Sequence, residues 1–397
     1  MRTIADSIHP ASKATLATEI QYNLALSSAG VIEKIERRFN PQQGQVFNPS
    51  DTCTIVLPGI DFMDIPNSYL EFRVAATGAG VAFPTSVNDL IYKTILRTGD
   101  GTVLSQNDHV NLMNRALSNY VIDSSAKQGS LQITDGFGTL AERQTFATGR
   151  AYAISLTNIN SFFRSQSRHF PLAASQGLTL EIEFASANVG LTVTSGVGNY
   201  QITQLGLVTN LVRYDAPTTQ AILKHWSEKG IKLGFTQLSY APFTSSNQVE
   251  VLNIPVQKKS IRSIYIFPRV ITTINDPTAD SFASTAQTLQ SVQFQMGDTQ
   301  SVRFVNAASI HKELQSAFNY QVIGSTNWAN WQASAFVIAL NTEALSSVLS
   351  GMDASISNMV LSVLIEYSSA ISQVRYDFLI ENDAVAEITP AGVMIHS

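Results

Sequence analysis

Leu178-Thr-Leu-Glu-Ile-Glu-Phe-Ala-Ser-Ala187 and Leu361-Ser-Val-Leu-Ile-Glu-Tyr-Ser-Ser-Ala370 lie 183 residues apart in a chain of 397, and five of their ten positions are identical. In the first copy Leu178, Leu180, Ile182 and Phe184 fall on one side of an extended chain, and Thr179, Glu181 and Glu183 on the other. That alternation marks a half-buried antiparallel strand. A register slip of one residue would drive both glutamates into the core. The echo at half the chain length points to one β-rich unit built twice.

Working outward, other stretches repeat in the same order. Phe47-Asn-Pro-Ser-Asp-Thr-Cys-Thr-Ile-Val56 answers to Phe243-Thr-Ser-Ser-Asn-Gln-Val-Glu-Val-Leu252. Ser68-Tyr-Leu-Glu-Phe-Arg-Val74 lies opposite Ser263-Ile-Tyr-Ile-Phe-Pro-Arg-Val270, and Tyr152-Ala-Ile-Ser-Leu156 opposite Phe336-Val-Ile-Ala-Leu340. Gly99-Asp100 matches Gly297-Asp298, and Asn119-Tyr120 matches Asn319-Tyr320. A unit this long exceeds any solenoid repeat and reads as a domain duplication.

The strand candidates are short, β-branched or aromatic, and separated by Asn-Pro, Pro-Gly and Gly-Asp turns. No βαβ alternation occurs, which excludes a parallel sheet. Each half offers about eight strands, the number in a jelly roll. The expected fold class is all-β: two tandem eight-stranded jelly-roll β-sandwiches with short helices and an N-terminal helical arm. The expected division is 1–38 arm, 39–214 first jelly roll, 215–230 connector helix and 231–397 second jelly roll. In the arm, Ser12 can cap a helix carrying Leu16, Ile20 and Leu24, and Val31, Ile32 and Ile35 form a second short apolar face. Pro217 and Gly230 frame the connector helix. Asn111–Tyr120 reads as a short helix, and 122–150 as a long polar loop.

Composition narrows the function. Charged residues are 14% of the chain, against about 25% in ordinary domains, which favours surfaces covered by other subunits. The net charge of −5 argues against wrapping nucleic acid. The single cysteine, Cys53, excludes an intrachain disulfide and argues against structural zinc. No apolar run suits a membrane-spanning helix, and the first residues are too polar for a secretory signal.

No motif carries chemistry. His9, His109, His169, His225, His311 and His396 are scattered singly, with no metal-ligand spacing. Glu181 and Glu183 would stand about 6–7 Å apart on one strand face, compatible with a glycosidase pair, yet only Glu366 recurs in the second copy. Trp328 and Trp331 could offer a sugar platform or fill an interface. Lys258, Lys259, Arg164 and Arg168 form clusters too small to mark a phosphate site. Phosphate-loop and nucleophile-elbow patterns are missing. Hence no catalytic, cofactor-binding or metal residue is assigned, no cofactor is expected, and the chain is not expected to be an enzyme.

Three stretches carry a family resemblance: Phe62-Met-Asp-Ile-Pro-Asn-Ser-Tyr-Leu-Glu-Phe-Arg-Val74; Gly99-Asp-Gly-Thr-Val-Leu104 with Asn111-Leu-Met-Asn-Arg-Ala-Leu117; and His169-Phe-Pro-Leu172 with Gly177–Phe184 and Tyr200-Gln-Ile202. With the closing Ser350-Gly-Met-Asp353 and Phe378–Ile395, the chain resembles the double jelly-roll major capsid proteins of icosahedral DNA viruses, the PRD1/adenovirus lineage. Within it the polinton-like virus and virophage branch is most similar. The resemblance covers roughly residues 39–397. It implies a homotrimeric, pseudo-hexameric capsomer tiling a virion shell assembled inside the host cell. Implied partners are neighbouring capsomers, penton and minor capsid proteins, with an internal membrane as a further candidate and no sequence-specific nucleic acid. The competing expectation is a carbohydrate-binding or adhesive tandem β-sandwich such as a viral spike.

Overall fold

A computed structural model describes residues 31–296, 299–318, 328–343, 349–355 and 360–396. The first half contains β1 (Val31–Phe39), β2 (Val46–Phe47), β3 (Thr52–Pro58), β4 (Phe62–Met63), β5 (Tyr69–Ala79), β6 (Ile91–Thr98), β7 (Val103–Asn107), β8 (Arg150–Ser155), β9 (Phe170–Pro171), β10 (Gly177–Phe184) and β11 (Ser195–Tyr214). The second contains β12 (Ile231–Ser245), β13 (Val249–Pro255), β14 (Ile261–Val270), β15 (Leu289–Met296), β16 (Thr299–Phe304), β17 (Ile338–Asn341), β18 (Val360–Tyr367), β19 (Val374–Thr389) and β20 (Gly392–His396).

The two halves are wired alike. One sheet of the first half runs β2-β11-β5-β8, and its counterpart runs β12-β19-β14-β17. The facing sheets run β3-β10-β6-β7 and β13-β18-β15-β16. In each, the opening strand pairs with the closing one and the second strand with the last but one, all antiparallel. This is the jelly-roll connection, made twice. The stretch that suggested duplication occupies the same place in both sandwiches: β10 lies between β3 and β6, and β18 between β13 and β15. Leu178, Leu180, Ile182 and Phe184 are buried, as are Leu361, Val363, Ile365 and Tyr367, while the intervening side chains are half-buried. Each buried apolar side chain contributes roughly 1.5–3 kcal/mol.

The stretch 1–38 is described only from Val31 onward. Residues 1–30, with Ser12, Leu16, Ile20 and Leu24, lie outside the described residues. The short apolar face of Val31, Ile32 and Ile35 belongs to strand β1, paired with β11 from Val31↔Tyr214 to Phe39↔Leu207. The 20-residue β11 extends well past β2, so its backbone groups need a partner there. Ion pairs fasten the strand: Lys34 to Asp64 at 2.7 Å, Arg213 to Glu33 at 3.0 Å, and Arg38 to Glu71. β1 and β2 together match the single long β12. Strand β1 therefore belongs to a sheet of the first sandwich, although it lies within the stretch 1–38.

The connector is a helix over Ala216–Lys229, capped by the Asp215 carboxylate, which accepts from Thr218 N at 2.9 Å, and ended by Gly230 at φ 71°. The stretch 122–150 is not a plain loop but carries short helices at Ser124–Gln128, Ser130–Asp135 and Leu140–Ala147. Gly297-Asp298 and Asn319-Tyr320 lie outside the described residues.

The two cores exchange elements. The first core takes in Phe235, Ala384, Ala386 and Ile388 from the second half. The second core takes in Leu112, Met113, Ala116 and Tyr120 from the helix Val110–Tyr120 of the first half. The sandwiches thus form one packed body.

Candidate functional site

The residues most suggestive of catalysis lie on the outward sheet faces. Glu181 accepts from Arg97 Nε at 3.0 Å, and Glu366 accepts from Arg303 at 3.2 Å and from Ser291. Glu183 lies opposite Lys93 and Thr52 across the strands. These carboxylates serve the sheet surface.

The histidines are dispersed. His169 is 2.6 Å from the Tyr214 hydroxyl, His311 packs against Trp331, His396 lies 3.5 Å from Glu387, and His225 is exposed on the connector helix. His9 lies outside the described residues. Among the described residues no group of three or more His, Cys, Asp or Glu side chains could hold a metal ion. No described helix is long and apolar enough to cross a membrane. Cys53 is fully buried, and burial pushes its thiol up to about 12, so it stays a thiol at neutral pH. Trp331 is buried and Trp328 exposed, their planes 44° apart, which gives no flat pair for a sugar ring. Lys259 and Arg168 are exposed, whereas Arg164 donates to the Thr157 carbonyl at 3.2 Å.

The seam between the sandwiches holds the densest polar chemistry. His109 is wedged between Tyr92, whose hydroxyl is 3.2 Å from Nε2, and the Tyr240 ring. The Tyr240 hydroxyl donates to Asp377, which also accepts from Arg269 Nε at 2.6 Å and Arg375 Nε at 2.9 Å. Asp377 and Arg269 are buried. Burial pushes the His109 imidazole down to about 4, with Asp377 pulling the other way. A neutral histidine and a compensated ion cluster form a joint. Sequence reading missed it, because its members come from five separate strands and loops.

The topology also sorts the connections. The links β5–β6, β7–β8 and β10–β11 leave one end of the first sandwich, and β14–β15 and β16–β17 leave the same end of the second. Val193 N donates to Pro277 O at 2.7 Å, and Ser281 Oγ to Asn188 O at 3.0 Å, joining the two ends. Val31, Tyr214 and the connector helix lie at the opposite end.

No family model and no curated protein matches the chain. Solved structures do. The PBCV-1 protein VP54, as fitted into a reconstruction of the virophage Sputnik, aligns with a TM-score of 0.65 at 10% identity, covering 92% of this chain and 97% of that one. The Faustovirus major capsid protein gives 0.65 at 10% identity over 91% of each chain. The mavirus major capsid protein gives 0.53 at 10% identity, covering 100% of this chain and 95% of that one. The chain has the double jelly-roll fold of these proteins.

Proposed function

We propose that this chain is the major capsid protein of an icosahedral DNA virus and that it acts by packing rather than catalysis. The observation that carries the reading is the pair of identically wired sandwiches locked side by side through exchanged core elements. Three such chains about a threefold axis present six similar lobes, a pseudo-hexagonal tile that extends into a shell by symmetric contacts. The low charged fraction suits large lateral interfaces, whose centres are depleted in charge. The likeness to capsid proteins over nine-tenths of the chain supports the same reading.

In this reading residues 1–30 are an arm, 31–214 the first jelly roll, 215–230 the connector and 231–397 the second jelly roll. The arm leaves from the end opposite the elaborated connections, so it reaches the shell interior and neighbouring capsomers. A pseudo-hexagonal tile cannot occupy a fivefold vertex, so closure calls for a separate penton protein. Minor capsid proteins, and a membrane beneath the shell, are partners of the arm-bearing face. The protein resides in the virion after assembly in the host cell.

The spike reading has less support, since the tryptophan pair is not coplanar. Solution mass and electron microscopy of the purified 43.1 kDa chain separate the two. Trimers with a hexagonal outline that tile are expected. A stable monomer that binds glycans and never assembles overturns the proposal.

A further inference from the structure

The joint at His109 is repeated in the second half, and the repeat stands open. β7 ends at Asn107, and Asp108 and His109 lead into the helix Val110–Tyr120. β16 ends at Phe304, and Val305 and Asn306 lead in the same way into the helix Ala307–Ala317. Asn306 is thus the counterpart of His109. His109 is seated on the Tyr240 ring of the second sandwich. Val305, by contrast, is 61% exposed and Asn306 is exposed. The Asn306 side-chain oxygen accepts from Ser309 N at 2.8 Å, which leaves its amide hydrogens to donate elsewhere.

The receiving surface is repeated too. The echo of Tyr152–Leu156 in Phe336–Leu340 sets Ser155 opposite Ala339. From there the strand pairings define one row across each sheet. The first reads Ser155, Tyr69, Val208, Arg38, and the second Ala339, Tyr265, Leu379, Tyr240. This register places Tyr69 opposite Tyr265, one residue on from the match read off the sequence. Arg38 therefore stands where Tyr240 stands in the second sandwich. In the next row on that face, Glu71 and Gly206 take the places of Phe267 and Asp377. In the second sandwich the face is covered, and Tyr265, Phe267, Asp377 and Leu379 are buried. In the first it is bare: Arg38, Arg73 and Ala151 are exposed. A hollow of about 420 Å³ opens there, lined by Arg38, Asn40, Glu71, Gln204, Phe72 and Ala151. Among the described residues, Glu71 accepts a side-chain hydrogen bond from Arg38 alone.

A joint made once within the chain thus has a second plug and a second socket, both unused. We infer that Val305 and Asn306 of one copy of this chain seat in the hollow beside β1 of the next copy. Val305 covers Ala151, and the Asn306 amide donates to the Glu71 carboxylate. The contact is heterologous, so each copy gives one plug and receives one, and a closing rotation makes a ring. The inference deepens the shell-building reading and rests on it for closure at three copies.

Sedimentation of the purified full chain tests this with Ala151→Arg and Val305→Asp. Both positions are exposed in the single chain, so neither change should unfold it, and circular dichroism checks that. Each variant alone should associate at least about tenfold more weakly than wild type and sediment near 43.1 kDa where wild type is trimeric. Mixed in equal amounts, the two should form dimers and stop. The intact hollow of Val305→Asp takes the intact plug of Ala151→Arg, and the two remaining surfaces are both spoiled. Should one variant not fold, the other still decides, by trimer or monomer. Trimers from either folded variant alone, or a mixture that stays monomeric, overturn the inference and leave the shell-building reading standing. A monomeric wild type overturns both.

Discussion

His109 from the first half lies against Tyr240 from the second, ring centroids 3.8 Å apart and planes 33° from parallel. His109 also takes left-handed backbone angles, φ 54° and ψ 43°, at the start of the helix that enters the second core. One residue thus turns the chain out of the first sandwich and seats a ring on the second.

That position makes the joint sensitive to acid. The folded imidazole titrates near 4 and the unfolded one near 6.5. Between those values the unfolded chain binds more protons, so the His109 contribution rises with pH and is lost as pH falls from about 6.5 to 4. At roughly 1.4 kcal/mol per pH unit the loss reaches at most about 3 kcal/mol. Asp89, raised to about 6 by burial, has the opposite sign and favours the fold below pH 6. The comparison therefore uses His109→Asn, since asparagine tolerates the left-handed region. Wild type should lose more stability than the variant between pH 7 and 4.5 in denaturant melts. Parallel losses would refute the assignment.

The exchanged cores should unfold together. Leu112 belongs to the first half but is fully buried in the second core. Leu112→Ala should cost about 2–5 kcal/mol and shift one cooperative transition. Two separate calorimetric transitions in wild type would show that the sandwiches are energetically independent.

Gly99 closes the turn between β6 and β7 against Gln176. Its amide donates to Ser175 O at 3.0 Å, and a Cβ would sit 2.0 Å from Gln176 O. Backbone would have to move, so Gly99→Ala should cost at least about 1–3 kcal/mol. Gly101, at φ 89° with open space around it, should lose only the left-handed penalty, about 1–2 kcal/mol. The order of the two melting temperatures is the test.

Truncation should separate arm from fold. Removing residues 1–30 leaves β1 in place, so trimers should form with unchanged melting while shells fail. Removing 1–38 takes nearly all of β1 and bares β11 from Val208 to Tyr214, an edge that invites pairing with other chains. That variant should melt lower and aggregate. Normal shells from the shorter truncation would remove the arm from assembly.

Local patterns were readable. The period-two alternation of Leu178–Phe184 placed each side chain on its correct face, and Asp215, Pro217 and Gly230 bounded the connector helix. The helices over 124–147 were obscured by glycines, although Thr139 and Glu142 form a capping box visible as Thr-x-x-Glu. β1 was not legible as a strand, because its apolar residues at 31, 32 and 35 also suit a helical turn, and only the length of β11 decides. The seam was not legible, since Arg269 and Asp377 meet across 108 residues.

The pairing of β1 with β11 also sets an order of events during synthesis. Phe39 must wait for Leu207, 168 residues later, which at roughly 5–20 residues per second is about ten to thirty seconds on the ribosome. For that interval the first strand is a ribbon without its template. Glu33, Lys34, Glu36, Arg37 and Arg38 crowd it with charge, and charges on an unpaired strand deter wrong partners. The ion pairs that later fasten β1 are made from the same side chains that keep it unattached until its partner emerges.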